Sequence, residues 1–127
     1  MNYLLDTHAV LWFLGDDEKL SKAALDTILE PANKKYVSIV SAWELAIKIG
    51  LRKLKFDGGV DNFFKIINEN GFDLLPIKEE YIRQVEILPF LHRDPFDRLL
   101  IASTLTENMS LITADTNIHQ YNISWVW

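Results

Sequence analysis

The sequence contains no cysteine in its 127 residues. This absence excludes a disulfide framework, a thiolate nucleophile and a zinc site built from cysteine sulfur. A chain of this length that is 49% hydrophobic can bury a sizeable core without cross-links. We therefore expect a single domain over residues 1–127, compatible with the reducing conditions of the cytoplasm.

Long hydrophobic runs are also missing. No segment approaches the ~18 consecutive apolar residues of a transmembrane helix. Asp6 interrupts the first apolar segment, Asp16 and Asp17 follow soon after, and the N-terminus has no basic region. These features predict a soluble, cytoplasmic protein without a secretory leader.

Positive charge is scarce relative to negative charge. The chain has 18 acidic and 13 basic residues and a formal net charge of -5, which argues against binding polyanions by counterion release alone. Some basic residues do cluster in sequence, at Lys48, Arg52, Lys53 and Lys55. This cluster fits either a solvated helix end and turn or a strip that contacts phosphate groups.

Strand-like and helix-like segments alternate along the chain. Such alternation predicts the α/β fold class, with a parallel sheet covered by helices on both faces. In this architecture the carboxyl ends of the strands and the N-termini of the helices meet at the edge where ligands bind. The β-rich runs are residues 2–5, 36–40, 72–77, 111–113 and 123–127.

The stretch from Asp94 to Asp115 places acids around one predicted helix and the strand that follows it. Asp94 before Pro95 predicts an N-cap, and Asp97 then falls at the third helical position, on or beside the apolar face. The β-rich run at 111–113 leads to Asp115 at the carboxyl end of a strand. This stretch therefore places acids both at the start of a helix and at the end of a strand.

Two more acids have comparable positions. Asp6 ends the first strand-like run, and Thr7 is the predicted cap of the next helix. Glu44 is predicted near the start of a later helix, where Ser41 and Glu44 match the capping-box pattern. Glu44 is therefore either a structural cap or a metal ligand, and it is expected at the same edge of the sheet as the other acids.

Four carboxylates at one edge repel one another and raise one another's pKa, so a cation or protons must neutralise them. Oxygen ligands without nitrogen or sulfur suit Mg²⁺ or Mn²⁺ rather than zinc. We predict a metal site from Asp6, Glu44, Asp97 and Asp115. Asp94 is either a further ligand or only the helix cap.

Other polar residues lie beside these acids in the sequence. Thr7 and Thr113 either orient a ligand or water or satisfy nearby backbone groups. His8 and His92 have no partner that the sequence identifies, so both are expected to be structural or surface residues rather than acid-base catalysts.

Three stretches of the chain form a distinctive set of motifs: LLDTHAVLW, SAWELAIKIGLRKL and HRDPFDRLLIASTLTENMSLITADTNIHQY. These motifs resemble the PIN-domain family and, within it, the VapC-like toxins of bacterial type II toxin-antitoxin systems. The resemblance implies a three-layer α/β/α sandwich with a short, mostly parallel central sheet, and Asp6, Glu44, Asp97 and Asp115 as the metal site. It also implies an endoribonuclease dependent on Mg²⁺ or Mn²⁺, usually dimeric and inhibited by a small antitoxin encoded beside it.

Other functions fit the sequence less well or remain open. An aspartyl-phosphate phosphatase would need a second acid where His8 stands, and a receiver-like domain would need paired acids after the first strand. The alternative from another class is a catalytically silent PIN-like domain that binds protein or RNA. If RNA is the substrate, the cluster of basic residues described above supplies candidate phosphate contacts.

Aromatic residues make up 12% of the chain, which is a generous supply for one small core. We expect some of the tryptophans, Trp12, Trp43, Trp125 and Trp127, to face a partner. Because arginine forms bidentate bonds with carboxylates, the antitoxin is expected to insert an arginine or a basic segment among the four acids.

Overall fold

A computed structural model describes all residues of the chain, Met1–Trp127. Strands and helices follow in the predicted order, with two helices after each of the first three strands, and none of the helices has the length and apolar composition needed to cross a membrane. The elements in chain order are β1 (Asn2–Leu5), α1 (Thr7–Leu14), α2 (Lys22–Leu29), β2 (Lys34–Ser38), α3 (Ile39–Gly50), α4 (Gly59–Glu69), β3 (Asp73–Leu75), α5 (Glu79–Ile87), α6 (Pro95–Glu107), β4 (Ser110–Ile112), a 3₁₀ turn (Ile118–Gln120) and β5 (Ser124–Val126).

The strands form one five-stranded sheet in the order β3-β2-β1-β4-β5. Every pairing is parallel, and β1 lies in the centre, with Leu5 opposite Val37 of β2 and Ile112 of β4. The parallel α/β prediction is therefore confirmed. The C-terminal strand β5 forms one edge of the sheet.

Buried apolar side chains form two clusters, one on each face of the sheet. Leu4 and Leu111 belong to one cluster, whereas their chain neighbours Leu5 and Ile112 belong to the other. This division follows from strand geometry, because successive side chains point to opposite faces. Helices α5 and α6 cover the first face and α1, α2 and α4 the second, so the predicted three-layer sandwich is confirmed.

Two predicted helix starts are wrong. Asp6, not Thr7, caps α1, because the Asp6 side chain accepts a hydrogen bond from the Ala9 amide at 2.7 Å. Ser38 caps α3, so Ser41 and Glu44 lie inside this helix and do not form a capping box. The chain turns from β2 directly into α3, and the β-branched residues that resemble a strand end form its first turn.

The predicted start of α6 is confirmed. Asp94 Oδ1 accepts hydrogen bonds from the amides of Phe96 at 2.8 Å and Asp97 at 3.2 Å, and Pro95 is the first helical residue. At the other end, Asn108 adopts a left-handed conformation with φ of 54°, a common way for helices to end. The cap fixes Asp97 in the first turn of α6.

Candidate metal centre

Four elements bring the predicted acids to the carboxyl edge of the sheet. Asp6 directly follows β1, and Asp115 lies in the loop after β4, the neighbouring strand. Asp97 is in the first turn of α6. Glu44 approaches from the interior of α3, more than one turn beyond its N-cap.

Asp6 is only 5% exposed, and both of its oxygens are engaged. The Thr113 hydroxyl donates to Oδ2, and the Ala9 amide donates to Oδ1. Burial raises the pKa of the Asp6 carboxyl above its ordinary value, although these two hydrogen bonds oppose the shift. The charged carboxylate is therefore incompletely compensated by the protein.

Glu44 is 6% exposed and is held through both oxygens. The Thr7 hydroxyl lies 2.8 Å from Oε1, and the Lys48 ammonium lies 2.8 Å from Oε2. Lys48 is thus bound to one of the acids, whereas Arg52, Lys53 and Lys55 are exposed beyond the end of α3. Lys48, one of the four predicted phosphate contacts, therefore has a different partner, and its spacing of four residues from Glu44 is the signal that could have identified this pair.

Among the four acids, Asp97 has the pKa that neighbouring acids raise most. Its pKa is raised to about 7, first by burial and then by the charge of Asp94, with smaller contributions from Asp6 and Glu44. The neighbouring His92 opposes this shift. Asp6 and Glu44 are therefore close enough for their charges to act on Asp97.

Asp115 is bound by a residue for which the sequence indicated no partner. His92 Nε2 lies 2.8 Å from Asp115 Oδ2 and 3.1 Å from Asp97 Oδ2. Burial would raise the pKa of the Asp115 carboxyl, but hydrogen bonds from His92 and the Asn117 amide outweigh it and lower the pKa. The sequence identified no partner for His92, and the structure shows that its imidazole contacts two of the acids.

One local signal could have identified His92. It lies two residues before Asp94, and the loop that leads into a helix necessarily passes close to the first turn of that helix. His8 differs, because it is exposed and stacks on Trp12 with ring centroids 5.6 Å apart. His8 is therefore a surface residue, as the sequence predicts.

The donor set of this centre fits a hard divalent cation. Carboxylate oxygens dominate it, with the hydroxyls of Thr7 and Thr113 bonded to two of them. The N-terminal dipoles of α1 and α6 relieve the repulsion by only about 0.3–1 kcal/mol each. A divalent cation would supply a larger compensating charge.

Comparison with known proteins is consistent with this geometry. The family model described as PIN domain matches residues 3–123. No curated protein sequence shows a significant match.

Several solved structures share the fold at low sequence identity. One similar chain comes from the structure of VapBC2 from Rickettsia felis bound to a DNA fragment of the VapBC2 promoter. It aligns with a TM-score of 0.74 at 17% identity, over 98% of this chain and 97% of that chain. A chain of a toxin-antitoxin complex from Klebsiella pneumoniae aligns with a TM-score of 0.69 at 13% identity, over 98% and 96%. The PIN domain endonuclease Utp24 aligns with a TM-score of 0.54 at 19% identity, over 94% and 74%.

Proposed function

The chain belongs to the PIN-domain family, and on this premise we propose that it is a metal-dependent endoribonuclease and the toxin of a toxin-antitoxin pair. Proteins of this family are typically nucleases. The observation that best supports the proposal is the position of Asp6, Glu44, Asp97 and Asp115 at the carboxyl edge of the sheet. Burial first, and then the charge of Asp94 with smaller contributions from Asp6 and Glu44, raises the pKa of Asp97 to about 7. Repulsion between such charges is costly unless a cation relieves it.

Asp6, Glu44, Asp97 and Asp115 would hold Mg²⁺ or Mn²⁺, and Asp94 would remain the cap of α6. A divalent ion in such a site lowers the pKa of water and stabilises the charge that develops during phosphodiester hydrolysis. The protein then needs no side-chain nucleophile. We assign the four acids to the active site on this basis.

The surrounding side chains orient these acids. The Thr113 and Thr7 hydroxyls donate hydrogen bonds to Asp6 and Glu44, and these bonds favour one orientation of each carboxylate. The Thr113 hydroxyl also accepts from the Asp115 amide at 3.1 Å, so one threonine links two of the acids. Oriented carboxylates reduce the reorganisation needed to bind the ion and its substrate.

The RNA backbone must approach a chain of net charge -5. Arg52, Lys53 and Lys55 are exposed and are the proposed phosphate contacts. Lys48 already pairs with Glu44 at 2.8 Å, so we propose that it contributes mainly to the acidic centre. A metal ion and this basic segment together would offset repulsion between the protein and its substrate.

Metal dependence is the first expected result. The purified protein should cleave RNA from a panel of structured transcripts when Mg²⁺ or Mn²⁺ is present, and cleavage should stop when a chelator is added, because the acids alone provide no electrophile. Gel analysis of end-labelled RNA measures this. Binding of RNA without cleavage under every metal condition would instead favour the catalytically silent module.

The proposed partner is a small antitoxin that covers the acidic edge. Trp43 and Trp125 are 57% and 41% exposed, which is unusual for side chains of this size and suits a protein interface. The structurally similar chain from Klebsiella pneumoniae belongs to a toxin-antitoxin complex. We propose that the antitoxin places an arginine among the four acids, and that the toxin is a homodimer.

Competition between antitoxin and metal is the second expected result. The product of the adjacent reading frame should co-purify with this chain, and its affinity should fall as Mg²⁺ concentration rises, because arginine and the ion neutralise the same carboxylates. Titration at several Mg²⁺ concentrations and constant ionic strength measures the effect. A protein that is active and never associates with this product would contradict the toxin assignment and leave the nuclease assignment intact.

A further inference from the structure

His92 lies between two of the acids and contacts both. Its Nε2 is 2.8 Å from Asp115 Oδ2 and 3.1 Å from Asp97 Oδ2, and the side chain is 11% exposed. Asp97 belongs to the start of α6, and Asp115 to the loop after β4. A single imidazole therefore links the acids of two separate elements.

The hydrogen bond to the second ring nitrogen, Nδ1, indicates which nitrogen of His92 carries the hydrogen. The backbone N–H of Asp94 donates to His92 Nδ1 at 3.1 Å, so Nδ1 is an acceptor and the hydrogen of the neutral ring is on Nε2. An Nε2 that carries this hydrogen donates it to the Asp115 carboxylate and has no lone pair for a metal ion. The ligand atoms of His92, Asp97 and Asp115 lie within 4.8 Å of one another, but this tautomer makes His92 a donor and not the third ligand.

Buried groups hold the loop that carries His92. The Tyr121 hydroxyl accepts from the amides of Leu91 at 3.0 Å and His92 at 2.9 Å and donates to the Pro89 carbonyl at 2.7 Å. The Arg98 guanidinium, only 9% exposed as a residue, donates to the carbonyls of Pro89 at 3.1 Å and His92 at 3.4 Å. A buried cation is costly, and here it binds backbone carbonyls that fix this loop.

From these contacts we propose that His92 is a positioning residue that orients Asp97 and Asp115 toward the metal ion. Its Nε2–H donates to Asp115 Oδ2 and lies beside Asp97 Oδ2, which leaves the other lone pairs of both carboxylates for the cation. The anchored loop keeps the two acids at a constant separation. The inference rests on the proposed metal site and assigns to it a residue that is not a ligand.

The test compares His92→Ala with His92→Gln, whose amide N–H replaces the lost donor. Mn²⁺ affinity, measured by calorimetry at neutral pH, should fall about 10–100-fold in His92→Ala, the usual cost of losing a hydrogen bond to a ligating group. His92→Gln should recover most of this loss. RNA cleavage at saturating Mn²⁺ should fall less than cleavage at limiting Mn²⁺, because the defect is in metal binding.

Nickel distinguishes positioning from direct ligation. Ni²⁺ favours nitrogen ligands more than Mn²⁺ does, so loss of a direct imidazole ligand would weaken Ni²⁺ binding far more. A positioning role predicts that His92→Ala weakens binding of both ions by the same factor. A loss for Ni²⁺ at least about tenfold greater than the loss for Mn²⁺ would overturn the proposal.

Asp97→Asn in the same titrations separates this inference from the proposed site. If Asp97→Asn loses Mn²⁺ binding while His92→Ala binds Mn²⁺ like the wild type or more tightly, only the role of His92 is overturned. If Asp97→Asn binds like the wild type, the metal site itself is wrong and the inference falls with it. Should His92→Ala fail to fold, His92→Leu keeps the apolar volume, lacks the donor and serves in its place.

Discussion

Replacing Asp97 with asparagine is expected to lower RNA cleavage at least ~100-fold, comparable to the loss of one key electrostatic group in other active sites. The change preserves size and the position in the first turn of α6. It removes the negative charge that would hold the metal ion. Single-turnover cleavage with saturating Mg²⁺ measures the chemical step and separates it from product release.

Asp61→Asn is a matched control for this substitution. Asp61 lies in the first turn of α4, as Asp97 does in α6, and both are the third residue of their helices. Asp61 is exposed and far in sequence from the four acids. Its replacement should leave cleavage unchanged. Wild-type cleavage by a folded Asp97→Asn variant would show that the active site was assigned wrongly.

The same Asp97→Asn variant is expected to be more stable than the wild type at pH 8 in chelator. The pKa of the Asp97 carboxyl is raised from 3.8 to about 7 by burial and by neighbouring acids. The native state therefore binds more protons than the unfolded state between these values, and stability falls as pH rises through this window. Asparagine carries no charge and avoids this loss.

This coupling between proton binding and folding sets an upper limit of about 4 kcal/mol on the gain in free energy of unfolding of Asp97→Asn at pH 8. Because the Asp97 side chain is 20% exposed and solvent screens part of its charge, about 1–2 kcal/mol is expected. At pH 4 the difference in free energy of unfolding between Asp97→Asn and the wild type should nearly disappear. Urea unfolding at both pH values measures it.

Metal addition should reverse the order of stability. Mn²⁺ stabilises whichever protein binds it more tightly, so the wild type should gain more than Asp97→Asn. Asp61→Asn should follow the wild type under every condition. If Asp97→Asn is instead destabilised at both pH values and responds to Mn²⁺ like the wild type, Asp97 serves the start of α6 rather than a metal site.

The sequence alone determined the features that depend on local patterns. Alternating apolar segments predict the order of strands and helices, and Asp94 with Pro95 predicts the start of α6 because capping involves only adjacent residues. The parallel sheet follows from that order. Since parallel strands end at one edge, the approximate location of Asp6 and Asp115 was also predictable.

Local patterns failed where packing competed with them. Ile39 and Val40 resemble the end of a strand, yet they form the first turn of α3, and Glu44 consequently lies inside the helix. Val40 is buried against the core on one face of the sheet, which favours the helical position over intrinsic strand propensity. The apparent capping box of Ser41 and Glu44 is therefore a coincidence of spacing.

Only the tertiary structure decided which side chains contact the acids. His92 reaches Asp115 across a separation of 23 positions, and Thr113 reaches Asp6 across 107. Such contacts depend on how β1, β4 and α6 pack, and no periodicity in the sequence encodes their distances. The four acids can therefore be recognised as a pattern in the sequence. Their hydrogen-bond donors and the raised pKa of Asp97 depend on proximity and burial in the folded chain.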